Sequence, residues 1–315
     1  MSVSTQKKTE HQEIPRSLFV KAEVDQGERE RIGRPSLTAW QDGWIRLKQN
    51  KAAVVSLFII LFIVAMAILG PVFSPYNFAQ TDYGATYQGP SMAHLFGTDM
   101  YGRDQFTRIW YGTRISLLIG FVAACLDLFV GVTYGAVSAL LGGKVDAIMQ
   151  RITEVLVGIP HLIIVILLMM VLPAGVGTII VALAITGWVN MARLVRARIL
   201  QLKNQEFVMA AQVLGTSQKD IILRHLIPNT VGIIVINAMF TIPSAIFTEA
   251  FLSFIGIGLS EPQASLGVLI NNGYSVLQSY PYLLICPAIV IVLIMVCFSI
   301  LGDGLRDALD PRMSK

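Results

Sequence analysis

The sequence predicts an all-α integral membrane protein with six transmembrane helices. Three observations carry that prediction. Of 315 residues, 54% are hydrophobic and 14% are charged, against about 25% charged in an ordinary soluble domain. Six apolar runs occur, at 52–72, 115–141, 155–172, 176–192, 231–254 and 283–301, each near the ~20 residues a helix needs to cross the hydrocarbon core. All but Arg103, Arg108 and Arg114 of the 24 Lys and Arg residues lie in the tails and alternate connections, an asymmetry that orients membrane proteins with the cation-rich side in the cytoplasm. Lipid offers the backbone no hydrogen-bond partners, so each run must be helical.

The elements follow in order. Residues 1–50 form a polar cytoplasmic tail. The first apolar run starts only at Ala52 and is too long for a cleavable signal. The tail ends in a short amphipathic helix, with Leu37, Trp40, Trp44, Ile45 and Leu47 on one side and Arg46, Lys48 and Lys51 near the headgroups. Residues 51–73 are the first transmembrane helix and 74–114 an extracytoplasmic loop. Residues 115–305 hold the other five spans, with a cytoplasmic loop at 193–229, and 306–315 form a cytoplasmic C-terminus. Pro173-Ala174-Gly175 separates the third and fourth runs and makes them a tight hairpin. Gly131 and Gly135 form a G-x-x-x-G that predicts close helix packing, and Pro243 predicts a kink in the fifth span. Cys125, Cys286 and Cys297 sit in apolar runs with no C-x-x-C spacing and read as small buried hydrophobes.

Asp127 lies midway along the second run and Glu249 in the fifth. Carboxylates in hydrocarbon are costly, so both must face the bundle. Two readings stay open for each: a wet cavity or partner contact, or a polar clasp between helices. His161, after Pro160, reads as a hydrogen-bonding group between packed helices.

The loop 193–229 has an internal design. Residues 205–214 are strong helix formers, Gly215 suits a left-handed helix end, Ser217 and Asp220 fit a capping pair, and Pro228 should end the second helix before the fifth span. Ala210 and Ala211 admit a close partner, or simply favour helix. On the other side, His94 to Asp104 reads as a structured turn tied by an Arg103–carboxylate pair, with a helix through Trp110 leading into the second span.

Four stretches together resemble one family. Ala210, Ala211, Gly215 and Pro228 match the E-A-A, three residues, G, nine residues, I-x-L-P loop of bacterial ABC importer permeases, with Met209, His225 and Ile227 as departures. His94–Asp104 resembles H-x-x-G-T-D-x-x-G-R-D. Glu249–Gly258 with Pro262–Gly267 resembles E-A-x-L-S-F-x-G-x-G…P-x-A-S-x-G, and Gly302–Pro311 resembles G-D-x-L-R-D-x-L-D-P. From Leu37 onward the chain is similar to the second-type permease of the dipeptide, oligopeptide and nickel importers. Leu126-Asp127-Leu128 and the run 246–251 look closest to oligopeptide permeases of Gram-positive bacteria.

The resemblance implies a type I ABC importer permease fold in the bacterial cytoplasmic membrane, with both termini cytoplasmic. It implies that Glu206, Ala210, Ala211, Gly215, Thr216, Arg224 and Pro228 meet an ATPase. Asp99, Arg103 and Asp104 would lie on the side of an extracytoplasmic peptide-binding protein. Asp127 and Glu249 would lie on the translocation path or in a helix clasp. The implied partners are a homologous permease in a heterodimer, two cytoplasmic ATPases, the peptide-binding protein and membrane lipid, with no nucleic acid. No G-x-x-x-x-G-K-[ST] occurs, so ATP and Mg belong to the partner subunits and this chain is expected to hold no cofactor, metal or catalytic residue. Two other classes remain in view: an intramembrane hydrolase using Asp127 and Glu249 as a pair, and a passive channel.

Overall fold

In the structure, a computed structural model that describes residues 39–309, the helices form in the predicted order. Residues 1–38 with Leu37, the side chain of Trp40 and residues 310–315 lie outside the described residues. The first helix, α1 (Ala39–Gln49), stops at Asn50, whose Oδ1 accepts from Ala53 N at 3.1 Å and caps α2 (Lys51–Phe73). Leu47 faces inward while Trp44 and Ile45 are exposed, so the expected single apolar side is divided between protein and surroundings. Arg46 pairs with Asp42 at 2.6 Å instead of standing free.

The second span is longer than its apolar run. Helix α3 (Gln105–Leu141) starts ten residues before the expected 115, because Asp104 caps it, with Oδ2 accepting from Thr107 N at 2.8 Å. The third run is not one straight span. It breaks into α4 (Gly143–Gly158) and α5 (His161–Val171), bent by 78°. The cause is Pro160, which lacks an N–H and drives Ile159 before it to an extended φ of −97° and ψ of 126°. Among the described residues, five helices are long and apolar enough to cross a membrane, and the broken pair makes a sixth span if counted as one. Helix α6 (Val176–Lys203) overruns the expected 192 by about three turns.

Pro228 does not end a helix as expected. After α7 (Glu206–Val213), residues 218–254 run as one span that changes its winding: a short α turn, a π-helical stretch at Ile221–Leu226, a 3₁₀ turn at Pro228–Thr230, then α8 (Val231–Phe254). A proline removes one donor and crowds the carbonyl four residues back. The widened turn sends Ile227 N to Ile222 O at 2.8 Å, and side chains take the freed acceptors: Asn229 Nδ2 donates to His225 O at 2.6 Å and Thr230 Oγ1 to Leu226 O at 2.7 Å. The chain closes with α9 (Leu266–Ser275) and α10 (Tyr282–Leu309).

Helix α3 is the hub. It packs along α6, α8 and α2, with Ile109, Ile119 and Ala123 buried. The glycine pair does what its spacing predicts. A Cβ on Gly131 would lie 2.6 Å from Met191 Cβ, and one on Gly135 would strike Ala192 O, so the glycines allow α3 and α6 to touch backbone to backbone. Helix α3 also repairs proline damage elsewhere. Pro71 in α2 strips the Ala67 carbonyl of its helical donor, and Arg114 Nε supplies one at 3.0 Å. Pro287 in α10 does the same to Leu283, and Gln105 Nε2 reaches that oxygen at 3.3 Å. Of the cysteines Cys297 is buried and Cys286 half-buried, but Cys125 is exposed on the outer face of α3, against the expectation for all three.

Gly135→Leu should force α3 and α6 apart and destabilise the protein by ~1–3 kcal/mol, the usual range for overpacking. The neighbouring exposed Val137→Leu should leave the thermal midpoint of the detergent-purified protein unchanged.

Candidate functional site

Three groups of side chains stand out, one midway along the bundle and one at each end. The first surrounds a cavity of ≈ 470 Å³ where the α4–α5 break faces α3, α6 and α8. Its wall carries Asp127 from α3, His161 from α5, Thr186 and Asn190 from α6, and Asn237 and Thr241 from α8. The Pro160 break is what brings His161 there, and its Nδ1 hydrogen-bonds Thr186 Oγ1, the interhelical role expected of it. Asp127 is 6% exposed and has no hydrogen-bond or ion-pair partner among the described residues. Burying a carboxylate at this depth costs about 2.5–3.5 kcal/mol on insertion scales, and no clasp offsets it.

Glu249 is the opposite case. It is fully buried, and its carboxylate accepts from Ser116 Oγ at 2.8 Å and Ser253 Oγ at 2.9 Å, joining α3 to α8. Glu249 is not on the cavity wall. The structure therefore separates the two carboxylates that the sequence paired: one lines a cavity and one holds helices together. Among the described residues, no group of three or more His, Cys, Asp or Glu side chains is placed to hold a metal ion.

The second group sits at the N-terminal end of α3. Arg103 Nε donates to Asp99 Oδ2 at 2.6 Å, and its two terminal nitrogens grip Glu261 at 3.0 and 2.8 Å. Arg108 stands behind them, 3.6 Å from Asp99 and 3.8 Å from Glu261, and donates to Phe78 O at 3.0 Å. Burial weakens the Arg103 charge, but the bond to Glu261 and the field of Asp99 outweigh it and hold its pKa above the ordinary arginine value. Burial likewise pushes the Glu261 carboxyl up, and Arg103 more than reverses this, so its pKa lies below 4.5. Asp104 turns away from this cluster to cap α3 and to meet His94 Nδ1 at 2.9 Å. The sequence foretold an Arg103–carboxylate pair but missed Glu261, which lies 158 residues away in the connection after α8.

The third group lies in residues 205–230. Helix α7 ends in a Schellman motif: Gly215 adopts φ +80° and donates to Gln212 O at 2.9 Å, while Thr216 N reaches Ala211 O at 3.0 Å. Ser217 then caps the next turn, accepting from Asp220 N at 3.1 Å. Val208, Ile221 and Leu226 pack with Ile199 and Leu202 of α6, fixing the segment to the bundle. Glu206, Ala210, Gly215, Arg224 and Pro228 are exposed, and Ala211 and Thr216 half-buried. Arg224 makes an exposed pair with Asp220 at 3.3 Å. Leu214 and Val213 are 83% and 88% exposed. These large apolar residues belong to no lipid-facing helix, and a surface of this kind marks a contact site.

A helical membrane bundle with a broken span, a central cavity and a rigid apolar-tipped segment at one end is the architecture of a transport subunit. Residues 131–315 match the family described as binding-protein-dependent transport system inner membrane component, and residues 38–90 match the N-terminal TM domain of oligopeptide transport permease C. The chain belongs to this family of inner-membrane permeases, and its fold is that of a type I ABC importer permease. It is 48% identical to the oligopeptide transport system permease protein OppC of Bacillus subtilis, over 96% of this chain and 100% of that one. It is also 48% identical to the dipeptide transport system permease protein DppC of Bacillus subtilis, over 97% and 96%. Identity to OppC of Escherichia coli K12 is 42%, over 87% and 91%. An inward-facing structure of the MetNI methionine ABC transporter superposes with a TM-score of 0.53 at 18% identity, covering 64% of this chain and 96% of that one.

The Arg103–Glu261 contact should show a coupling energy of ~0.5–3 kcal/mol in a double-mutant cycle of Arg103→Ala and Glu261→Ala. A depressed carboxylate pKa stabilises the fold above the group's unfolded value and loses that contribution as pH falls through the folded one. The coupling should therefore hold at neutral pH and shrink as pH drops well below 4.5.

Proposed function

We propose that this chain is one of two permease subunits of an ATP-driven importer that carries oligopeptides into the cell by alternating access. What supports the reading most is the breadth of the likeness: relatives named for oligopeptide or dipeptide transport align over nearly the whole chain, from the N-terminal domain through the last span. The equal identity to an oligopeptide and a dipeptide permease makes dipeptide import the second reading. Nickel import is a test arm carried over from the resemblance alone.

In this reading the chain makes no covalent chemistry. It pairs with a homologous permease, two cytoplasmic ATPases and an extracytoplasmic peptide-binding protein. Both termini and residues 205–230 face the cytoplasm. The cation asymmetry supports this orientation. The three cations on the outer side are all engaged: Arg103 and Arg108 in the carboxylate cluster, Arg114 on Ala67 O. Helix α7 seats in a groove of the ATPase through Leu214, Val213 and the small face at Ala210 and Ala211. Gly215, Thr216 and Pro228 shape the segment, and Glu206 and Arg224 line its exposed side. Because Val208 and Leu226 fix the segment to α6, movement of the motor is passed to the spans. The Asp99–Arg103–Glu261 cluster braces the end that meets the binding protein.

A deletion strain carrying this gene should regain growth on defined oligopeptides. Rescue by dipeptides alone would favour the second reading, and rescue of nickel-dependent growth alone would overturn the peptide assignment. In the reconstituted transporter, Leu214→Asp should remove most peptide-stimulated ATP hydrolysis while the complex still assembles. Gly215→Pro should do the same, since proline is locked near φ −65° and the site requires +80°. Unchanged stimulation in both variants would refute the coupling role.

A further inference from the structure

The carboxyl group of Asp127 is an acidic side chain on the cavity wall that nothing among the described residues satisfies. Among the described residues, no Lys or Arg lines the cavity. Two hydroxyls on α8 spend their protons within the helix: Thr241 Oγ1 donates to Asn237 O at 3.2 Å and Thr248 Oγ1 to Ser244 O at 2.9 Å. Asn237 turns its amide nitrogen to Met191 Sδ at 3.8 Å. The two threonine oxygens keep lone pairs free, and Ser244 and Asn190 on the same wall can accept as well as donate. Helix α6 makes room for the carboxylate as well: a Cβ on Gly187 would sit 2.5 Å from Asp127 Oδ1. Asp127 as a residue is 6% exposed, and its unpartnered carboxyl group lines the cavity. An unpartnered carboxyl group beside threonine oxygens, in a cavity without a cationic side chain, suits a primary ammonium, which brings three donors and the opposite charge.

Resting on the reading of the chain as a peptide permease, we infer that this cavity is a transit site for the free α-ammonium group of the peptide, with Asp127 as its counter-ion. The site would favour passage of peptides with an unblocked N-terminus whatever their side chains, because backbone-terminal chemistry is the feature they share. Asp127 touches the cargo and the acceptors of α8 complete the ring, while His161, tied to Thr186, forms the wall at the α4–α5 break.

The test uses the complete transporter in liposomes with ATP and its binding protein, and a labelled alanine tetrapeptide with either a free or an acetylated N-terminus. Both peptides are supplied at concentrations that saturate the binding protein. Asp127→Asn keeps the shape and removes the charge, and should slow import of the free peptide roughly tenfold, as loss of a charge-assisted contact does. Asp127→Glu should retain most of the rate. Assembly, read by size exclusion, should be intact in both, since Asn removes a buried unpartnered charge. The acetylated peptide should enter through the wild type slowly and be insensitive to Asp127→Asn. An assembled Asn variant that imports the free peptide at the wild-type rate overturns the inference, as do equal losses in the Asn and Glu variants. So does equal entry of both peptides through the wild type. A wild type that imports neither peptide would instead sink the peptide-importer reading itself.

Discussion

Hydrocarbon solvates no backbone polar group, and most of what is distinctive in this bundle follows from how it meets that demand where prolines interrupt helices. Pro71 and Pro287 each remove a donor, and α3 replaces both, through Arg114 and Gln105. Pro228 is absorbed by changing the winding of the chain from α to π to 3₁₀. Pro160 is not absorbed, so the span breaks by 78°. The one break left open is also where the cavity forms. A straight third span would present α3, α6 and α8 with a continuous apolar wall, and Asp127 would have no space to line.

Helix α3 is consequently both scaffold and functional wall. Its N-terminal end is capped by Asp104 and lies beside the Arg103–Glu261 cluster, its middle bears Asp127, and its glycines admit α6 to backbone contact. Helix α6 continues below that contact into the region that packs against Val208 and Leu226. The proposed coupling segment packs on α6 and runs on into α8, and both of these helices line the cavity, so the proposal needs no separate linkage between the two.

Much of this was legible in the sequence, and the reasons differ by element. The spans declare themselves through apolar length. The Schellman end at Gly215 and the cap at Ser217 are local, so residue identity and spacing suffice to read them. The G-x-x-x-G seam was read correctly as packing, though its partner helix was not assigned. The failures were of two kinds. Pro160 and Pro228 both looked like helix punctuation, but one broke its span and the other was accommodated, and the difference lies in tertiary neighbours and in the widened turn at Ile221–Leu226. Asp127 and Glu249 carry the same chemistry on helices of membrane-crossing length. What separates them is that Ser116 and Ser253 reach one carboxylate and nothing among the described residues reaches the other. Glu261 was invisible as a partner of Arg103, because 158 residues separate them and only the fold brings them together.

The central claim is mechanical: the segment from Glu206 to Pro228 is a rigid piece of the permease on which a separate ATPase acts. The most direct measurement places a photo-crosslinking residue at position 214 in the assembled membrane complex and identifies what it captures with and without nucleotide. The account requires covalent capture of the ATPase subunit, with a yield that changes when nucleotide binds. Capture of lipid or of an extracytoplasmic protein alone, or labelling of that position from outside the cell, would contradict it.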